Sequence, residues 1–88
     1  MRFIVFYRKE RDYTQDTEDL LQDLSNRYQK SFEIHDPDTP SGSSEAHAYD
    51  IMDFPTFLAV MDDGREAARF SGLPLPTVQQ LADMFVIL

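Results

Sequence analysis

Cysteine is absent from the 88 residues. That removes any disulfide, thiolate nucleophile, zinc knuckle or iron–sulfur cluster from this chain. Basic side chains are scarce as well: 8 Lys and Arg stand against 16 Asp and Glu, a net charge of −8. The resulting pI near 4.4 argues against nucleic acid or an anionic membrane as partner, since phosphate binding depends on clustered cations. No apolar run approaches the ~20 residues that cross a bilayer. The first residues lead directly into a five-residue apolar run, too short for a signal-peptide core, which gives the expectation of a cytoplasmic protein. Internal repeats and low-complexity tracts are lacking too.

What is present suffices for one compact core: 42% of the residues are hydrophobic, with seven Phe and four Tyr. The length fits a single domain over 1–88 and is too short for two. Phe3 to Tyr7 is a continuous aromatic and β-branched run, as in a strand buried on both faces. Arg8 to Asp12 forms a charged loop. Tyr13, Thr17, Leu20, Leu21, Leu24 and Tyr28 then follow a helical period. Asp12 or Thr14 is the expected N-cap, with Asp12 and Gln15 as a loose capping box. Ser31 to His35 alternates like a strand with Phe32 and Ile34 inward.

Asp36 to Ser44 has loop composition, and Ser43 or Ser44 is positioned to cap a short helix through Tyr49. Phe57–Met61 and Glu66–Phe70 flank the Asp62-Asp63-Gly64 turn as a hairpin. Pro76 suits the first turn of a last helix, whose stripe is Val78, Leu81, Ala82, Phe85 and Leu88. The order β-α-β-α-β-β-α predicts an α/β domain: a four-stranded mixed sheet with helices on both faces. Its first two strands are parallel and its hairpin antiparallel.

The stretch Tyr49-Asp50-Ile51-Met52-Asp53-Phe54-Pro55-Thr56, followed by an apolar strand, Asp63-Gly64 and Phe70-Ser71-Gly72, resembles the thioredoxin family. The resemblance covers nearly the whole chain in the minimal form shared by glutaredoxins and small thioredoxins. It implies a thioredoxin-like fold with a cis Phe54–Pro55 bond beside the loop where relatives carry Cys-x-x-Cys. Here that loop is Arg11-Asp12-Tyr13-Thr14-Gln15. The strand end aligns Asp12 and Gln15 with the two thiol positions, and the helix period aligns Arg11 and Thr14. Neither register supplies a thiol. The other four prolines are expected to be trans.

The resulting expectation is a non-catalytic binding module that holds a polypeptide segment at Arg11, Asp12, Tyr13, Thr14, Phe54, Pro55 and Thr56, without a cofactor or metal. Two alternatives come from other classes. One is an assembly subunit, such as a homodimer, joined through the sheet edge or the apolar residues 85–88. The other is a small-thiol binder of the glutathione type, drawing on Arg8, Lys9 and Arg11. The remaining polar groups read as structural. His35 and His47 with Asp36 and Asp38 lack ligand geometry. A calcium-loop reading fails because its sixth position is Ser41 and its twelfth His47. Ser43 and Ser44 beside His47 are cap residues rather than a catalytic group. Asp16, Glu18, Asp19 and Asp23 form a solvated face.

Overall fold

A computed structural model describes residues 1–86. Its elements are β1 (Arg2–Phe6), α1 (Thr14–Tyr28), β2 (Glu33–His35), α2 (Pro40–Ala48), β3 (Thr56–Val60), β4 (Glu66–Ser71) and α3 (Val78–Met84). The strands lie in the order β2-β1-β3-β4. β1 runs parallel to β2 and antiparallel to β3, and β4 is antiparallel to β3. This is the mixed four-stranded sheet of a thioredoxin-like α/β fold.

The central strands explain why the apolar runs are continuous. Side chains alternate across a sheet, so Val5, Tyr7, Phe57 and Ala59 face one core with Leu24 of α1 and Leu81 of α3. Ile4, Phe6, Leu58 and Val60 face a smaller one with Ala46 of α2 and Ile51. Both faces are covered, and the runs Phe3–Phe6 and Phe57–Val60 are therefore apolar throughout. Phe3 stacks on Phe85 at 4.0 Å between ring centroids, and Phe32 meets both Phe57 and Phe85 edge-on at 5.4 Å. Phe85 therefore belongs to the core, whereas Val86 is exposed. Residues 87–88, including Leu88 of the expected stripe, lie outside the described residues.

Several boundaries differ from the sequence expectation. α1 begins after Tyr13, which makes no side-chain cap bond, so neither Asp12 nor Thr14 is the cap. The expected box does not form: Gln15 Nε2 donates to Asp19, while the Thr14 hydroxyl is held by the preceding loop. α2 starts earlier than Ser43. Thr39 caps it by accepting from Gly42 N–H, and Pro40 follows at the first helical position, where its missing N–H costs nothing. α3 is capped by a reciprocal Thr77–Gln80 box, which places Pro76 before the helix rather than in its first turn. β1 and β3 are displaced by one residue, to Arg2–Phe6 and Thr56–Val60, and β4 runs one residue further, to Ser71.

Ile34 is the clearest correction. Phe32 is buried, yet Ile34 is 55% exposed. Both belong to the α1 side, because Ile34 is in register with Val5. The sheet ends at β2, however, and α1 leaves that border open. The Phe54–Pro55 bond is cis, and so is Leu73–Pro74, contrary to the trans expectation for Pro74.

Candidate functional site

The end of β1 delivers Arg8 to a junction of two loops. Its guanidinium carbon stands 4.5 Å from the centroid of the Phe54 ring, a cation–π contact, and its Nε donates to Asp38 at 3.0 Å. Its backbone joins in as well. Arg8 N–H donates to the Tyr13 hydroxyl at 3.1 Å, and the Thr14 hydroxyl donates to Arg8 C=O at 2.7 Å. Thr14 Oγ1 also accepts from Arg11 N–H at 3.0 Å, and Thr14 N–H donates to Arg11 C=O at 3.1 Å. Arg11 and Thr14, three residues apart, are thus the pair that closes the turn into α1.

Across from this loop, Pro55 and Thr56 are buried. The Thr56 hydroxyl donates to Asp53 C=O at 2.6 Å, and Pro55 C=O accepts from Gly72 N–H at 2.9 Å. The side chain of Thr56 is therefore unavailable to a ligand, and so is the carbonyl of Pro55. One residue earlier, Phe54 N–H and C=O have no backbone partner among the described residues.

Of the seven residues expected at the site, the structure joins Tyr13, Thr14 and Phe54 through Arg8. Arg11 and Asp12 are exposed, and Pro55 and Thr56 serve as the buried support. Sequence reasoning missed two flanking residues, Met52 (82% exposed) and Leu73 (63% exposed). Met52, Phe54, Ile51, Arg8 and His47 line a shallow pocket of about 260 Å³. Leu73 and Leu75 line another of about 340 Å³ with Tyr13, Asp12 and Asp16. The signal available in sequence was an apolar residue in each of two loops, beside Pro55 and beside Gly72.

Two of the three residues of the basic cluster are already paired within the chain. Arg8 is paired with Asp38, and Lys9 with Glu18 at 3.5 Å. The Tyr7 hydroxyl donates to the same Glu18 at 2.9 Å. Burial, then that carboxylate, pushes the Tyr7 phenol up to about 12. Among the described residues no group of three His, Asp or Glu converges as a metal site, and no helix is long and apolar enough to cross a membrane.

A four-stranded β2-β1-β3-β4 sheet with three helices defines a thioredoxin-like fold. No protein-family model and no curated protein matches the sequence. Solved structures do match its shape. Thioredoxin O2 of Arabidopsis thaliana in the oxidized state superposes with a TM-score of 0.72 at 18% identity, over 99% of this chain and 73% of that one. Thioredoxin 1 of Thermosipho africanus gives 0.69 at 13% identity, over 99% and 92%. A thioredoxin from Thermus thermophilus gives 0.64 at 21% identity, over 97% and 71%. These similarities establish the fold; thiol chemistry has no group to perform it in these 88 residues.

Proposed function

We propose that the chain is a non-catalytic binding module that holds an extended polypeptide segment across Phe54, between Met52 and Leu73. The observation that carries this reading is the pairing of two features. Phe54 offers a backbone N–H and C=O without a backbone partner among the described residues, and two exposed apolar side chains line neighbouring pockets, Met52 together with Phe54 and Leu73 together with Tyr13. An extended peptide adds main-chain hydrogen bonds at such an edge and places alternate side chains in the neighbouring pockets. Tyr13 and Leu73 would contact one side chain, Met52 and Phe54 the next, while Thr14, Pro55 and Thr56 hold the two loops in position. A small thiol ligand is less well served, because its carboxylates need cations and Arg8 and Lys9 already face carboxylates.

Selection of binders from a random peptide display library against the folded chain tests the proposal. The selected peptides should bind Met52→Asp and Leu73→Asp at least about tenfold more weakly, the loss of roughly 1.4 kcal/mol, and should shift the Phe54 amide resonance. Peptides that bind both variants as well as the parent would overturn it, and so would a selection that yields none.

A further inference from the structure

The chain has four methionines and neither cysteine nor tryptophan. Its thioethers are therefore its only sulfur groups and its first targets for a peroxide. The fold treats the four differently. Met84 is sealed in the larger core, 1% exposed. Met61 is half-buried and lies with Met1 beside Asp62 and Asp63. Those two sit at the far end of the β1–β3 ladder, where Arg2 is in register with Val60. Phe54 precedes the near end, where Phe6 is in register with Thr56. Met52 alone combines high exposure, 82%, with a place at the Phe54 pocket. It belongs to neither core, so a change at its sulfur leaves the packing of the domain intact.

We propose that Met52 is an oxidation switch on the Phe54 surface: its conversion to the sulfoxide by hydrogen peroxide releases a bound peptide, and reduction restores binding. The inference rests on the peptide-binding reading above. In the forward step the Met52 sulfur attacks one oxygen of hydrogen peroxide. An S–O bond forms as the O–O bond breaks, and the departing hydroxide takes the proton of the transferred oxygen and leaves as water. The sulfur is oxidised by two electrons and the peroxide is reduced. The return step is reduction by a dithiol, catalysed by methionine sulfoxide reductases; the dithiol becomes a disulfide and the oxygen leaves as water. The position of Met52 explains why so small a change is felt. An unbranched apolar thioether adapts to whatever side chain lies against it, whereas its sulfoxide is polar and chiral. At this exposure the sulfoxide oxygen is hydrated in the free chain, and a peptide lying over residue 52 has to strip that water away.

Peptide mapping by mass spectrometry after brief exposure to dilute hydrogen peroxide is the first test. Met52 should become the sulfoxide faster than Met1 or Met61, with Met84 unmodified, and the urea midpoint should not move. Affinity is the second test, read with a selected peptide that contains no Met or Cys. It should bind the oxidised chain at least about fivefold more weakly, and a methionine sulfoxide reductase with dithiothreitol should restore the affinity. In Met52→Leu, whatever its starting affinity, peroxide should leave that affinity unchanged. Oxidation of another methionine ahead of Met52, equal affinity of the oxidised and reduced chains, or an equal loss in Met52→Leu would each overturn the proposal. Failure of the peptide-binding reading shows separately, as a selection that yields no peptide before any peroxide is added, and the switch falls with it.

Discussion

Tyr7 ends the central strand with its ring in the core and its hydroxyl on the Glu18 carboxylate. A phenol held up to about 12, against ~10 in the unfolded chain, favours the folded state while neutral. That contribution is complete below about pH 10 and is lost as pH rises through the folded value. The phenolate absorbance should therefore contain one component near pH 12 that disappears in Tyr7→Phe, and this variant should unfold with a weaker dependence on alkaline pH. Gly42 is decided by space rather than charge. A Cβ built there meets Asp36 C=O at 1.9 Å, and that carbonyl is fixed by Thr39. Gly42→Ala should cost about 3 kcal/mol in urea unfolding, where an ordinary helical Gly→Ala change would stabilise.

At the scale of elements, α2 depends on its ends more than on its face. It buries only Gly42 and Ala46, so the Thr39 cap carries an unusual share of its stability. Thr39→Ala should cost about 1 kcal/mol, read from the urea midpoint and from loss of α2 amide protection. The sequence predicted this helix but capped it at Ser43 or Ser44, because Asp36-Pro37-Asp38-Thr39-Pro40 has loop composition throughout; the Thr-Pro pair was the available start signal. α1 and the strands β1 and β3 were legible because period 3.6 and unbroken apolar runs have few other readings. The Ile34 side chain was not, since alternation specifies a face and not whether a helix reaches it. At the candidate site, Tyr13, Thr14 and Phe54 were recoverable from the loop–helix–proline pattern. Met52 and Leu73 were not, because their exposure depends on the packing of two loops distant in sequence.

Across the whole molecule, Arg2 ties three elements together. Its guanidinium donates to Glu33 of β2 twice at 3.0 Å and to Glu45 of α2 at 3.2 Å. Arg2 holds the Glu33 carboxyl below the usual carboxylate range. A lowered folded value means stability that is present above the unfolded value of ~4.3 and is lost as pH falls through the folded one. Glu33→Gln should narrow the difference between neutral and acid stability, with a small effect because the pair is half in water. The two cores described above are unequal, and this has a kinetic consequence. Two helices and a chain of Phe rings guard one side of the sheet; one short helix guards the other. Solvent should therefore enter from the α2 side first. In deuterium exchange, the amides of residues 43–48 should be labelled through partial openings well below the global unfolding free energy. Those of β1 and β3 should wait for the whole molecule to come apart.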